Sequence, residues 1–220
     1  LVEADSLSGL LIPDAHCGTH CTVNSLITGS IEDVEFQSLY FTCESDTPCI
    51  DAEVDGDLKF VGAWPSTEIY TNGTFARLRG TGAVHANQLS LYSNGALFDV
   101  SGSGEVNIDD STLRFESGGI LSGWSFNINH TVLIAQENGL ILLDVDATIS
   151  SVEISRSFSS SDSTSVGLRA VWSDITIDDA SITGWNEGIR CESECTISGE
   201  DLTSGGGGRN SGTVSYTHLR

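Results

Sequence analysis

Two pairs of adjacent aspartates, Asp109-Asp110 and Asp178-Asp179, are the residues of this sequence best suited to acid–base chemistry. Each pair directly follows an isoleucine, Ile108 or Ile177, in a short apolar–polar alternation. Two carboxylates hydrolyse a glycoside when they face each other across about 5–9 Å, one as acid and the other as base or nucleophile. Arg169 and Arg190 each stand two residues after a glycine, Gly167 or Gly188. Guanidinium groups beside carboxylates are suited to gripping an acidic sugar, because the planar fork makes two parallel hydrogen bonds to a carboxylate. The plainer alternative is solvated turn aspartates and an arginine ladder on an acidic surface, with no catalysis.

Other groupings suggest ligands or cross-links. Asp51-Ala-Glu53-Val-Asp55-Gly56-Asp57 imitates the start of a calcium loop, but position twelve is Gly62, where a bidentate glutamate is required. A complete EF-hand is excluded, and a weaker calcium site on Asp51, Glu53, Asp55 and Asp57 is what remains. Six cysteines form three close pairs, Cys17/Cys21, Cys43/Cys49 and Cys191/Cys195. Spacings of four and six across a turn permit the Cα approach of a disulfide. An even, paired count in a chain of secreted character points the same way. His16-Cys17-Gly-Thr-His20-Cys21 leaves a zinc alternative open, although zinc usually recruits two separated ligand pairs. Trp124 and Trp172 each stand five residues after a glycine, Gly119 or Gly167. Displayed, they would form a sugar-stacking platform; buried, they would fill corners. Asn72-Gly73-Thr74 and Asn129-His130-Thr131 are glycosylation sequons, relevant if the source glycosylates such sites.

The elements that must carry these residues follow from two ladders. One is a glycine followed by alternating apolar residues, at Gly73, Gly95, Gly119, Gly139, Gly167 and Gly188, in steps of 22, 24, 20, 28 and 21. The other pairs aliphatic residues five apart: Val84/Leu89, Ile108/Leu113, Ile128/Leu133, Ile149/Ile154, Ile177/Ile182 and Ile197/Leu202, in steps of 24, 20, 21, 28 and 20. Both lengthen together at the serine-rich stretch Ser155–Ser165, as one loop growing from one repeat would require. Runs such as Val106-Asn-Ile108 have the period of half-buried strands, and no helical periodicity occurs. A unit this short cannot bury its apolar face alone, so successive units must stack as coils about 4.8 Å apart. Glycines at the corners are expected to supply positive φ. Asp109-Asp110 and Asp178-Asp179 would then share one surface column, three coils or about 14 Å apart. That is too far for the two pairs to act together on one glycosidic bond.

The stretch ITIDDASITGWNEGIRCESECTISGEDL resembles the right-handed parallel β-helix repeats of the pectate-lyase-like superfamily, over about residues 9–208. Extending the repeats upstream through Gly9 and Gly29 gives roughly nine coils of 20–28 residues, and the resemblance implies an all-β solenoid, a right-handed parallel β-helix. Such folds serve polysaccharide-acting enzymes, carbohydrate-binding proteins and many surface proteins, so the resemblance says little about function. The NTD, GHG and RIK motifs of β-helix polygalacturonases are absent. Trp172-Ser-Asp174-Ile175 is similar to the WIDH box of pectate lyases, but Ile175 stands where histidine would be.

Composition narrows the partners. A net charge of −22 with one lysine, Lys59, repels phosphate backbones and anionic headgroups, which argues against nucleic acid. No apolar run approaches the roughly 18 residues of a membrane span. Val214–Arg220 back-translates to a string resembling sequencing-adapter read-through. Residues 1–213 are therefore expected to form one β-helix domain cut at both ends, and 214–220 a non-native tail. The function expected first is a non-enzymatic extracellular or cell-surface module for adhesion, spacing or glycan binding. The alternative is a polysaccharide lyase or glycoside hydrolase acting on an extracellular polysaccharide. Calcium is the one cofactor suggested.

Overall fold

The computed structural model describes residues 2–3, 16–17, 21–23, 27–37, 39–43, 48–62, 67–116, 118–157, 165–200 and 202–205. Among these the chain forms strands and turns but no helix, wound as a parallel β-solenoid of about seven turns. Each turn lays down three short extended segments, and each segment pairs in parallel with its equivalent one turn on. Face A stacks Ala76–Gly80, Phe98–Gly102, Gly119–Ser122, Leu140–Leu143, Val166–Val171 and Glu187–Glu192. Face B stacks Ala83–Asn87, Glu105–Asp109 and Ser125–Asn129, then the first halves of Asp146–Arg156 and Asp174–Thr183, then Thr196–Glu200. Face C stacks Leu39–Cys43, Thr67–Thr71, Leu89–Ser93, Thr112–Phe115 and Val132–Ala135, continued by 153–156 and 181–183. Ile27–Gln37 and Ile50–Val61 bend through faces A and B of the earlier turns.

The coil number is lower than the nine expected. Val2–Glu3 pairs antiparallel with Phe36 and Glu35, and His16–Cys17 pairs antiparallel with Thr22 and Cys21. Antiparallel pairing reverses the chain direction, so these segments cannot extend a coil whose equivalents all run the same way.

Period-two alternation puts one side of every strand into the interior. Leu89–Ser93 alternates buried and half-buried positions along its length, and Ser125–Asn129 alternates buried with exposed or half-buried ones. The aliphatic ladder holds in register through its middle: Ile108, Ile128, Ile149 and Ile177 form one column, and Leu113, Leu133, Ile154 and Ile182 another. At the ends it slips by two, since Val84 pairs with Val106 and Ile197 with Ile175. A slip of two keeps a side chain on its own face, so the inward assignment survives. Phenylalanines add a second stack along the axis, with ring centroids 5.4 Å apart for Phe36–Phe60 and 5.5 Å for Phe60–Phe75 and for Phe75–Phe98. Each is essentially fully buried, worth about 2–3 kcal/mol in area removed from water.

The glycine ladder does different work from that expected. Register aligns Gly118, not Gly119, with Gly139, which in turn aligns with Gly167 and Gly188. Of these, only Gly118 has a positive φ. Gly139 and Gly167 are held to glycine by close approach of neighbouring groups: a Cβ on Gly139 would lie 2.0 Å from the Gly167 carbonyl oxygen, and one on Gly167 2.3 Å from Ile182 Cγ2. Positive φ is instead supplied mostly by other residues. Gln88, Asp110, His130, Ser151 and Asp179 form a left-handed column at the B–C corner, with φ from 44° to 55°. Gly123, Asp144, Trp172 and Ser193 form another at the A–B corner.

Candidate functional site: a polar furrow along face B

Outward positions of face B line a furrow that crosses successive coils. Glu105, Ser125, Asp146, Asp174 and Thr196 make one column of it, and Asn127, Thr148, Thr176 and Ser198 the adjacent column. This part encloses about 490 Å³. A second stretch of about 390 Å³, lined by Asp55, Asp57, Thr81, Ser103, Glu105 and Ser125, shares Glu105 and Ser125 with it. The two are one furrow running along the solenoid axis. Its side chains are carboxylates, amides and hydroxyls at coil spacing. Asn127 Nδ2 donates to Glu105 Oε1 at 2.6 Å and to Asn107 Oδ1 at 3.0 Å, which fixes the orientation of the amide. Among the described residues, no lysine, arginine or histidine lines the stretch from Glu105 to Ser198.

Asp146 and Asp174 are register partners, one coil apart and both exposed. Sequence reasoning passed over them, yet the signal was there. Glu105, Ser125, Asp146 and Asp174 all stand three residues before Ile108, Ile128, Ile149 and Ile177.

The tryptophans separate. Trp172 is 60% exposed and Trp124 is 1% exposed. Counting from Gly119 misplaces Trp124 by one: the coil begins at Gly118, and five residues on lies Gly123. Register then aligns Trp172 with Asp144 and Gly123 on the outside of the corner, and Trp124 with Val145 and Ser173 on the inside. Trp172 precedes Asp174 of the furrow by two residues, and its N–H donates to the Ser193 carbonyl at 3.0 Å. An aromatic pair unforeseen from sequence lies on face C, where Tyr70 (42% exposed) and half-buried Tyr92 have ring centroids 6.2 Å apart. Tyr92 Oη donates to Glu116 Oε1 at 2.8 Å, and that bond together with burial raises the phenol above its ordinary pKa.

The four residues weighed for catalysis occupy different parts of the coil. Arg169 and Arg190 are register partners on face A. Arg169 Nη2 donates to Glu192 Oε2 at 2.7 Å, and Arg190 Nε to Glu187 Oε2 at 2.8 Å. The hydrogen bond from Arg169 holds the Glu192 carboxyl below its usual range, with Arg169 and Arg190 charge adding to it and partial burial opposing. Asp178 ends a face B segment and Asp179 sits in the left-handed corner, accepting from Ser151 Oγ at 3.1 Å. Asp109, Asn129, Ser150 and Asp178 do form one column, three coil steps long. Aspartate suits the left-handed corner sterically, which gives Asp110 and Asp179 a structural task.

The calcium-loop carboxylates lie along one extended strand, Ile50–Val61, and two already hold cations. Asp51 Oδ1 meets Arg79 Nη1 at 2.6 Å, and Asp57 Oδ2 meets Lys59 Nζ at 2.9 Å. Glu53 and Asp55 point outward, exposed. Among the described residues, the donors that do converge as a metal set would are Asp109, Asp110 and His130.

Cys191 and Cys195 are bridged, with Cα atoms 5.8 Å apart, and Cys49 is also disulfide-bonded. Cys17 and Cys21 face each other in register. The side chains of Cys17, Cys21 and Cys43 lie outside the described residues, as do His20, most of the serine-rich loop and 214–220. Of the sequons, Asn72 is exposed and Asn129 half-buried, with Thr131 Oγ1 donating to the Asn129 carbonyl at 2.6 Å. No protein-family model matches the chain, and no curated protein or solved structure matches it.

Proposed function

We propose that this chain is a non-catalytic, glycan-binding module of an extracellular or cell-surface protein, holding a polysaccharide lengthwise in the face B furrow. The observation that carries this reading is the series of hydrogen-bonding side chains repeated at coil spacing from Glu105 to Ser198 and approached by Asp55 and Asp57, with Trp172 exposed two residues before Asp174. A sugar offers hydroxyls to amides and carboxylates and a flatter C–H face to an indole, and a site with few oriented polar groups and an aromatic anchor fits it. The carboxylate-rich lining favours neutral or basic glycans over uronates. The acidic exterior and paired cysteines support a location outside the cell, and the resemblance to pectate-lyase-like repeats supports carbohydrate by analogy alone.

Affinity electrophoresis tests the reading, with gels containing a neutral glucan, a mannan, an amino-sugar polymer or a polyuronate. Wild type is expected to be retarded by a neutral or basic polymer, and W172A to run free. Migration unchanged in every gel, or full retention by W172A, overturns it.

One observation favours a hydrolase as a second reading. Asp146 and Asp174 sit one coil apart, a strand spacing of about 4.8 Å, close to the roughly 5–5.5 Å between the carboxyls of a retaining glycosidase. Release of new reducing ends from a retarding polymer by wild type, abolished in D146N and D174N, would establish that reading in place of the first.

A further inference from the structure

We infer that Asp109, Asp110 and His130 form a binding site for a zinc-class divalent cation at the B–C corner, separate from the furrow and from the Asp51–Asp57 strand. One ligand atom from each residue lies within 4.8 Å of the other two. His130 Nδ1 and Asp109 Oδ1 are already 3.1 Å apart. Donors bound to one zinc ion at about 2.0–2.1 Å in a tetrahedron stand roughly 3.3–3.4 Å from each other. One edge of the coordination polyhedron is therefore in place, and the Asp110 carboxylate lies within 4.8 Å of both of its ends.

The chemistry of the donors selects the metal. One imidazole nitrogen with two carboxylates is a mixed nitrogen–oxygen set, suited to zinc and its neighbours in the first transition row. Calcium takes six to eight oxygen ligands and gains nothing from imidazole.

The fold holds the set from both sides. Asp109 and Asn129 are register partners, so Asp110 and His130 sit at equivalent corner positions of adjacent coils. Ser111 Oγ donates to the Asp109 carbonyl at 2.7 Å, and Thr131 Oγ1 to that of Asn129. Ser111 and Thr131 are both buried, so the backbone under the ligands is anchored whether or not a cation is present. Asp110 and His130 are exposed and Asp109 is partly exposed, so the site opens to solvent.

The test is isothermal titration of the full chain, stripped with a chelator, with zinc chloride at pH 7 and again with calcium chloride. H130N and D110N are the variants, because asparagine tolerates the left-handed backbone of both positions; H85N is the control histidine on face B. Circular dichroism establishes that each folds. Zinc is expected to bind wild type and H85N equally and to bind H130N and D110N at least tenfold more weakly, and calcium in excess should displace little of it. Imidazole nitrogen NMR should show the His130 resonance moving on zinc addition. Unchanged zinc affinity in folded H130N, a static His130 resonance, or displacement by equimolar calcium overturns the assignment.

Discussion

Trp172 is in the wrong place for a residue that serves only the fold, and its removal should show this. Its φ of 50° puts a bulky side chain in the left-handed region, at a cost of about 1–2 kcal/mol, where the equivalent positions one and two coils back carry Asp144 and Gly123. Replacing it with glycine relieves that strain. The substitution also gives up what burial the ring has. With 60% of the residue exposed, about two-fifths of some 200 Å² is covered, or about 2 kcal/mol at 25 cal/mol per Å². That figure is an upper bound, because the unfolded chain buries some of the same area. The two terms nearly cancel, so W172G should leave stability within about 1 kcal/mol of wild type, or about 3 °C in Tm. W124A, at a site 1% exposed, should lose about 3–5 kcal/mol by cavity creation. Binding should respond in the opposite order. An indole face covering about 60 Å² of sugar contributes about 1.5 kcal/mol, so W172G should weaken glycan retention about tenfold. The assays are urea unfolding followed by circular dichroism, and affinity electrophoresis across a range of polymer concentrations. A loss of stability in W172G comparable to that of W124A would refute the reasoning, since Trp172 would then be a corner of the core.

Three further outcomes are expected. A Cβ on Gly104 would lie 2.4 Å from the Gly82 carbonyl oxygen and 2.5 Å from Trp124 Cε3. G104A should therefore lower stability by about 1–3 kcal/mol, seen as a lower urea midpoint, and shift Trp124 fluorescence; an unchanged midpoint would mean the coils can part without cost. Glu192, its carboxyl held low by Arg169, contributes stability that is whole above the ordinary glutamate pKa and is lost as pH falls through the lower folded value. In E192Q the stability curve should accordingly flatten below about pH 4.3 and be unaltered in shape above it, as read from urea midpoints across pH. Opening the Cys191–Cys195 bridge in C191S/C195S releases a loop with sequence separation 4, which should cost about 2 kcal/mol by loop entropy. Trp172 should also become more accessible to acrylamide, because the Ser193 carbonyl, which accepts from the Trp172 backbone N–H, lies within that loop.

Much of the architecture is determined by local pattern. The five-residue aliphatic spacing and its co-variation with the glycine steps establish coils, and period two assigns the interior, because a strand offers its neighbours only two sides. That is why errors of two in register, as at Val84 and Ile197, cost the reading nothing. An error of one is different. Between Gly118 and Gly119, adjacent in sequence and identical in chemistry, the choice decides whether a tryptophan five or six residues later faces the core or the solvent. Only the pairing of whole coils makes that choice, placing Trp124 inside over Gly104 and Trp172 outside beside Asp174. The same holds for chemistry. The acidic pairs stand out in the sequence because their members are adjacent, yet adjacency does not decide what they meet: Asp179 accepts from Ser151 of the preceding coil, and Asp109 and Asp110 gather with His130 of the next. Asp146 and Asp174, like Asp109 and His130, are 28 and 21 residues apart, and they come together because stacking places residues one coil distant closer than most sequence neighbours can reach with their side chains. The sequence thus determines by itself that the chain coils and which side chains fill it; the register between coils, a property of the tertiary structure alone, decides which polar groups meet on the surface.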